Sequence, residues 1–419
     1  VDLENAAQYV LWNKIPIVSA SIGWSNTLGD GSGEPCRIAN DAATNGVLWI
    51  NAAGNEANST LFDDFSDPDQ DNLHNLEDGT EILKLKGVEV GSTIDVTLVW
   101  EGWPQTYDDY DLRLLKVSAY GNPELMDVSQ TFQNPGPPYE RIVWNVTEAG
   151  QYGVAVWKAP SAANLKLRIT SDGYVLGDGR PVGRSLASPA DAHQVVAVGA
   201  VDYRKWLTGP VEDFSSRGPT VENRIKPDLV APDAVRTFSY GSEFYGTSAA
   251  CPHVAGVAAV LMSSDPYYDR PDKIRDALFS AAVDMGIPGK DNEFGWGRID
   301  LSILLDRKAP EMHISALEVA FGRITVGEEQ SAIIEIENTG NKELRISKVA
   351  VSNPVFRMVP SVLNIAPGSS KRIDVYFKPT SEGKRTSLAT IYSNDSRYPE
   401  LVIALSGTGI AIKPVRPQI

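Results

Sequence analysis

The chain has 419 residues, with 38 Lys and Arg against 54 Asp and Glu and a formal net charge of −16 at pH 7. This acidic balance argues against nucleic acids and anionic membrane surfaces as partners, because both repel negative charge. No apolar run approaches the roughly 18 residues of a membrane-spanning helix, and two cysteines do not make a disulfide scaffold. A chain of this length suits two or three domains.

The first part of the chain alternates between helical and strand patterns. Residues 15–22 form a nearly continuous apolar run, as expected for a parallel strand that is buried on both faces. Residues 36–45 then follow a helical pattern, residues 47–50 give the next apolar strand, and the alternation resumes at residues 194–201. This order predicts an α/β fold with a doubly wound parallel sheet and a site at the carboxyl ends of its strands.

The period changes from helical to two between residues 58 and 184. Apolar and polar residues alternate over residues 96–100, and residues 140–157 resemble two strands joined by a glycine-containing turn. We therefore predict a β-sandwich inserted into the α/β domain, which itself comprises residues 1–57 and 185–306. Because the insertion leaves the α/β domain just after Asn55, which falls at the carboxyl end of a strand, we expect it to stand near the site.

A second all-β unit is predicted over residues 310–412. In the segment KRIDVYFKP, residues 371–379, the side chains of Ile373, Val375 and Phe377 are expected to face a core and their neighbours to face water. Nothing in this unit suggests chemistry.

The segment GTSAACPHVAG, residues 246–256, places a serine at the start of a helix. The free N–H groups and the dipole of a helix N-terminus favour developing negative charge beside Ser248. Residues 249–261 are almost all small or apolar, which predicts a helix covered on all sides, with Pro252 in its first turn and close packing at Gly256. The alternative is that Ser248 merely caps this helix.

Together with four other segments, this motif resembles the subtilases, the subtilisin-like serine peptidases of family S8. The resemblance covers residues 1–57 and 185–306 and implies an endopeptidase that is secreted or held at the cell surface. The matching segments, in chain order, are IVSASIG (17–23), VLWINAAGN (47–55), DFSSRGPTVENRIKPDLVAP (213–232), GTSAACPHVAG (246–256) and FGWGRIDL (294–301).

The resemblance implies a role for each matching residue. Ser248 is expected to be the nucleophile that forms the acyl-enzyme, and its own N–H and the Asn55 amide are expected to hold the oxyanion. An extended polypeptide substrate is expected to add as a strand to the backbone that lines the cleft. The expected cleft residues are Ser21, Ile22, Gly23, Ala52, Ala53, Gly54 and Thr247.

The other two members of the family's catalytic triad have no match in this sequence. Subtilases order their triad Asp, His, Ser, so the Asp and His motifs are expected upstream of this chain. The four histidines, His74, His193, His253 and His313, lie in other contexts. We therefore expect the chain alone to be inactive; the alternative is a non-catalytic pseudopeptidase that serves as a peptide- or surface-binding module.

The two β-rich segments carry weaker resemblances. VTLVWEG (96–102), DYDLRLL (109–115) and AGQYGVAVW (149–157) resemble the pre-peptidase C-terminal domains of secreted peptidases. The segment that begins at residue 320 resembles the immunoglobulin-like domains of the ASPM/SPD-2/Hydin type. Such domains act as spacers or binding modules, which implies extracellular or cell-surface partners.

Two acidic clusters are open to two interpretations. Alternating carboxylates are typical of a calcium loop, yet they are also typical of a solvated acidic loop, which we favour. The expected chemistry requires no cofactor. Under the calcium interpretation, the ion bound by these clusters is structural. The cluster residues are Asp67, Asp69 and Asp71, and Asp108, Asp109 and Asp111.

Overall fold

A computed structural model describes residues 2–118, 121–177, 183–264, 268–305, 310–340, 342–395 and 397–411. The chain divides into two compact units, one of Val1–Ser263 with Tyr268–Leu304 and the other of Leu305–Ile419 with Ser264–Tyr267. Within the described residues, no helix combines the length and the apolar character that crossing a bilayer requires.

The first unit opens with two helix–strand pairs. They are α1 (Asp2–Trp12), β1 (Ile17–Ala20), α2 (Glu34–Thr44) and β2 (Leu48–Ala52). Strands β1 and β2 are parallel, with Ile17 opposite Leu48. Pro35 lies in the first turn of α2, where its missing N–H costs no hydrogen bond. Every residue of β2 is buried, as the apolar pattern predicted.

Nine strands form the inserted β-sandwich. They are β3 (Thr60–Asp64), β4 (Leu83–Lys86), β5 (Thr93–Trp100), β6 (Tyr110–Val117), β7 (Pro123–Ser129), β8 (Tyr139–Asn145), β9 (Gln151–Lys158), β10 (Lys166–Ser171) and β11 (Val175–Leu176). One sheet has the order β3-β10-β5-β8 and the other β11-β4-β9-β6-β7. The rings of Trp100 and Tyr110 meet in the core between them, with centroids 5.2 Å apart.

The chain then completes the parallel sheet. The elements are β12 (Val196–Asp202), β13 (Leu229–Asp233), the short strands β14 (Val235–Arg236) and β15 (Glu243–Phe244), and the helices α3 (Thr247–Ser264), α4 (Pro271–Ser280) and α5 (Leu301–Leu305). The sheet has the order β1-β2-β12-β13. Helices α3 and α4 pack on one face and α1 and α2 on the other, which confirms the doubly wound α/β fold.

Helix α3 differs from its prediction in three respects. Because the helix begins at Thr247, Pro252 lies in its second turn, not its first. One face of the helix is exposed, including Pro252, His253 and Gly256, so the expected cover on all sides is absent among the described residues. A Cβ built on Gly256 meets no atom within 4 Å, so close packing does not explain this glycine.

An arginine of the sandwich is buried among loops of the α/β layer. Arg168, on β10, is fully buried and donates from Nη2 to the Ser185 carbonyl oxygen at 3.1 Å. Its Nη1 lies 3.5 Å from the Thr27 carbonyl oxygen. Burial lowers the pKa of Arg168, while the charges of Asp191 and Glu56 raise it. This side chain fastens the insertion to the segments on either side of it in the sequence.

The second unit is a separate β-sandwich. Its strands are β16 (Met312–Ile314), β17 (Glu318–Thr325), β18 (Gln330–Asn338), β19 (Leu344–Val351), β20 (Phe356–Val359), β21 (Leu363–Ile365), β22 (Ser370–Phe377), β23 (Gly383–Ser393) and β24 (Glu400–Ile410). The sheets have the orders β16-β18-β22-β20 and β17-β24-β23-β19-β21. Ile373, Val375 and Phe377 are fully buried, as the period-two pattern predicted.

Candidate active site

Three segments of the α/β layer meet at the carboxyl edge of the parallel sheet. Ser21 directly follows β1, Asn55 comes three residues after β2, and the turn after β15 leads into Ser248 at the start of α3. Open parallel sheets bind ligands at this edge, because the loops after their strands converge there. The segments that the sequence matched to the peptidase motifs are therefore neighbours in space.

The turn before Ser248 is held by a buried carboxylate. Gly246 has φ +129, a region that residues with a side chain rarely adopt. Its N–H donates to Oδ2 of Asp233, the fully buried last residue of β13, at 3.1 Å. Burial raises the pKa of Asp233. No local sequence pattern indicates this role for Asp233, because its contact with the turn before the serine joins residues that are 13 positions apart.

Pro252 and Ser21 together position the carbonyl group of Ser248. In an α-helix that carbonyl would accept from the N–H of residue 252, but proline has none. The Ser21 hydroxyl donates to it instead, at 2.9 Å. Ser21 was expected to serve through its backbone, and it also acts through its side chain. A proline four residues after the candidate nucleophile was the signal available in the sequence.

The two expected oxyanion donors lie side by side. Oδ1 of Asn55 accepts from both the N–H and the hydroxyl of Thr247, each at 3.0 Å, so its Nδ2 points the other way. A Cβ built on Gly246 would lie 3.4 Å from Nδ2 of Asn55 and 3.6 Å from the backbone nitrogen of Ser248. Both donors therefore border the space that the missing Gly246 side chain leaves open, next to the half-buried Ser248.

The expected cleft backbone divides into two parts. Ser21, Ile22 and Gly23 are exposed, and within the described residues neither Ser21 nor Gly23 makes a backbone hydrogen bond. Ala53 and Gly54 do not offer free backbone, so that prediction is wrong for them. The Ala53 N–H donates to Val198 and its oxygen accepts from Ala187, while the N–H and oxygen of Gly54 bond Thr247 and Ser216.

The prediction also fails for Ala52, because this residue is central in the sheet. It belongs to β2, which lies between β1 and β12, and it is only 4% exposed. Parallel strands on both sides leave no edge for a peptide there. Of the six expected cleft residues outside α3, Ser21, Ile22 and Gly23 are exposed, Gly54 is half-buried, and Ala52 and Ala53 are buried.

Only His253 shares an element with the candidate nucleophile, helix α3, and the other three histidines lie on other segments. His74 is buried in the sandwich, where Nδ1 accepts from the Ser66 N–H at 3.1 Å. The His193 ring lies 3.6 Å from the Glu222 carboxylate, and Nδ1 of His253 lies 2.9 Å from the Ala249 carbonyl oxygen. His313 belongs to the second unit. Across the described residues, no group hydrogen-bonds the Ser248 hydroxyl.

A glutamate next to Asn55 in the sequence forms a further part of the site. The Ser216 hydroxyl donates to Oε2 of Glu56 at 3.1 Å and accepts from the Glu56 N–H at 3.0 Å. Burial raises the pKa of Glu56, and the charge of Arg168 opposes that rise. Neither Ser216 nor Arg168 is near Glu56 in sequence, so no local pattern indicated this cluster.

The two acidic clusters behave differently. The carboxylates of Asp67, Asp69 and Asp71 lie within 4.8 Å of one another, the one such group that the described residues contain. Both oxygens of Asp67 already accept backbone N–H groups, and three carboxylates fall short of the six to eight oxygens that Ca²⁺ takes. A calcium role for this cluster stays a prediction.

The second cluster is not gathered into such a group. Asp108 accepts from the Ala163 N–H at 2.7 Å, and Asp109 accepts from the Gln133 N–H at 3.3 Å. Asp111 is buried, and burial raises its pKa to about 6. Asp108 and Asp109 thus accept hydrogen bonds from separate segments of the sandwich.

Comparison with known proteins gives two family matches. Residues 139–297 match the subtilase family, and residues 310–408 match the HYDIN/CFA65/VesB-like Ig-like domain. The protease CspB of Clostridium perfringens has a similar fold, with a TM-score of 0.52 and 18% identity over 73% of this chain and 72% of that one.

Two proteins of known name are similar to this chain in sequence. An extracellular serine protease of Serratia marcescens is 38% identical over 104 residues, which are 24% of this chain and 10% of that protein. Pyrolysin of Pyrococcus furiosus is 27% identical over 290 residues, which are 63% of this chain and 20% of pyrolysin. The matches thus span a tenth and a fifth of these relatives. The chain thus contains a segment, residues 139–297, that matches the subtilase family and a second, residues 310–408, that matches an Ig-like domain of the HYDIN/CFA65/VesB type.

Proposed function

We propose that this chain provides the nucleophile and the oxyanion hole of a subtilisin-type serine endopeptidase. The observation that carries the proposal is that Nδ2 of Asn55 and the backbone nitrogen of Ser248 lie 3.4 and 3.6 Å from one point, the Cβ position built on Gly246. The hydroxyl oxygen attacks the scissile carbonyl carbon, and the two donors hold the resulting oxyanion. Collapse expels the amine and leaves an acyl-enzyme on Ser248, which water then hydrolyses.

The proton of Ser248 needs an acceptor that the described residues do not supply. In the triad mechanism a histidine takes this proton and gives it to the leaving amine, and an aspartate holds the histidine in place. We assign both roles to residues outside the described cleft. The exposed faces of β1 and α3 beside Ser248 leave room for such a segment.

The substrate is a polypeptide in extended conformation. Ser21, Ile22 and Gly23 form an exposed segment next to the nucleophile, and backbone groups of Ser21 and Gly23 are available for strand addition. Secretion accompanies this function, because two relatives similar in sequence are extracellular serine proteases by name. The Ig-like domain is proposed to bind extracellular or cell-surface partners.

The test is casein hydrolysis by the natural gene product. Ser248→Ala is expected to abolish it, and Asn55→Ala to lower kcat about 10²–10³-fold, a range known for this donor in subtilisin itself. Asn45→Ala is the matched control. Asn45 caps the C-terminus of helix α2, and its substitution is expected to leave kcat unchanged. Hydrolysis that survives Ser248→Ala would refute the proposed nucleophile.

A second candidate is a pseudopeptidase that binds peptides without cleaving them. This candidate is favoured because no described residue hydrogen-bonds the Ser248 hydroxyl, whereas the Ser248 carbonyl oxygen has a partner in Ser21. This candidate predicts that the natural gene product binds casein peptides with an affinity that Ser248→Ala leaves unchanged, and that no hydrolysis accompanies binding.

A further inference from the structure

A cavity of about 390 Å³ lies between the exposed cleft segment and the inserted sandwich. Residues 23–26 and Glu56 line one side, so the cavity borders both the cleft segment and the residue after Asn55. Strands of the sandwich line the other side. Its volume lies in the range of pockets that hold small ligands. The lining residues of the sandwich that the argument uses are Asp95, Tyr139, Arg141, Ser171 and Asp172.

The lining of this cavity is negatively charged. Three carboxylates, Glu56, Asp95 and Asp172, face one guanidinium, Arg141, which gives the lining a formal charge of −2. Arg141 is held by Asp95 in a two-pronged ion pair, with Nε–Oδ1 and Nη2–Oδ2 distances of 2.8 and 2.5 Å. Its donors are thus already engaged, which makes it a poor site for an anionic ligand.

The buried Arg168 does not cancel this charge. It acts on Glu56 from outside the lining, and its interaction with Asp191, a fully buried carboxylate, is the larger of the two. Counting Arg168 and Asp191 together therefore leaves the balance at the cavity unchanged. The remaining negative charge belongs to Glu56 and Asp172, because Asp95 is neutralised by Arg141.

Two further features of the lining suit a cationic ligand with an apolar stem. Ser171 is fully buried, and its Oγ has no hydrogen-bond partner within the described residues. A buried hydroxyl without a partner is costly, and it can accept from an N–H that enters the cavity. Trp24 and Tyr139 also line the cavity, and aromatic faces attract ammonium and guanidinium groups.

We propose that this cavity binds the cationic side chain of a Lys or Arg residue in the polypeptide substrate. The backbone of the peptide lies along Ser21, Ile22 and Gly23, and the side chain enters between Trp24 and the sandwich. Its charged head pairs with Glu56 and Asp172. The inserted sandwich thereby forms one wall of a specificity pocket. This inference rests on the proposed function for the identity of its ligand.

The experiment measures binding, so that it does not depend on a complete triad. The 419-residue chain is titrated with acetyl-Ala-Ala-Ala-Arg-amide and with the citrulline peptide, which has the same shape without the charge. The arginine peptide is expected to bind at least about tenfold more tightly, the effect of one charged hydrogen bond. Glu56→Gln with Asp172→Asn should bring the two affinities together.

The matched control is Glu89→Gln with Glu124→Gln, which removes two charges from the same sandwich at positions that do not line the cavity. This control should keep the tenfold preference. Thermal unfolding of each variant verifies that it is folded. If the cavity variant does not fold, the single change Asp172→Asn, at an exposed position, should still lower the preference.

A small probe separates this inference from the proposed function. Agmatine carries the guanidinium and stem of arginine without a peptide backbone. If no peptide binds but agmatine binds and the cavity variant loses it, the peptide cleft is wrong and the cation pocket stands. Equal affinity for the arginine and citrulline peptides overturns the pocket and leaves the cleft intact. Binding of neither the peptides nor agmatine overturns the pocket.

Discussion

The two layers of the first unit differ in how fully their elements are covered. In the sandwich, Val96, Leu98 and Trp100 of β5 are all 0% exposed. In the α/β layer, three of the four residues of the edge strand β1 are half-buried or exposed. Helix α3 likewise exposes one face, on which Val260 is 40% exposed.

This difference follows from how each architecture closes its core. A sandwich buries its inner faces between its own two sheets, so nine strands within residues 60–176 suffice. A parallel sheet needs helices on both faces and neighbours on both sides of each inner strand. The residues proposed for chemistry all lie on the less covered layer. The sandwich therefore adds stability and a wall, whereas the α/β layer holds the reacting groups.

The largest expected effect concerns activity in that less covered layer. Because no described residue bonds the Ser248 hydroxyl, the 419-residue chain alone is expected to hydrolyse casein at the background rate. Losing the base of a subtilisin triad lowers kcat about 10⁶-fold, a value measured in subtilisin itself. Release of peptides by the pure chain and by its Ser248→Ala variant should be equal. Cleavage that depends on Ser248 would mean that this chain contains a base.

The next effect tests how the sandwich is fastened to the α/β layer. Arg168→Met removes the charge that compensates the buried Asp191, and we expect it to lower the free energy of unfolding by about 3–5 kcal/mol. Lys166→Met, two residues earlier on the same strand, breaks a partly exposed ion pair and should cost less than about 1 kcal/mol. Urea denaturation of both variants gives the comparison; similar losses would contradict a special role for Arg168.

A smaller effect lies inside the sandwich and depends on pH. Burial, with the charges of Asp109 and Glu140, raises the pKa of Asp111 from 3.8 to about 6. The folded state therefore holds its proton more tightly than the unfolded state. Its contribution to stability is full below pH 4 and is lost as the pH rises through about 6, by up to about 3 kcal/mol.

The substitution Asp111→Asn should remove this loss. The variant is expected to gain stability over the parent at pH 7 and to show no gain at pH 3.5, measured by urea denaturation at both values. Asp172→Asn, a change at an exposed carboxylate, is the matched control and should alter neither. An equal effect of Asp111→Asn at both pH values would contradict the raised pKa.

The smallest energetic effect concerns the exposed face of α3. Residues 1–306 expressed alone are expected to associate, because exposed apolar faces favour contact between copies. Val260→Glu should reduce this association while changing the free energy of unfolding by less than about 0.5 kcal/mol. Residues 310–412, which contain a complete core, should be monomeric with one cooperative transition. Light scattering and thermal melts check both; a monomeric 1–306 fragment would contradict the expectation.

The sequence alone determined the kind of each layer and the order of its elements. The period-two pattern of residues 371–379 depends on burial along a single strand, so it can be read locally. The apolar run of residues 15–22 did predict a strand, but burial on both faces was wrong, because β1 lies at the edge of its sheet and only Ala20 of its four residues is buried. The motif at residues 246–256 likewise predicted from local sequence that Ser248 lies at the start of a helix. The family resemblance added the pairing of Ser248 with Asn55.

Tertiary structure decided what depends on contacts between distant segments. Free backbone was predicted at Ala53 and Gly54. In the structure the backbone of Ala53 hydrogen-bonds to Val198 and Ala187, and that of Gly54 hydrogen-bonds to Thr247 and Ser216. The cover expected on α3 failed because composition gives the polarity of a helix and not the presence of neighbours. The cavity beside Glu56 was likewise invisible in the sequence, since its walls come from strands of the sandwich far along the chain.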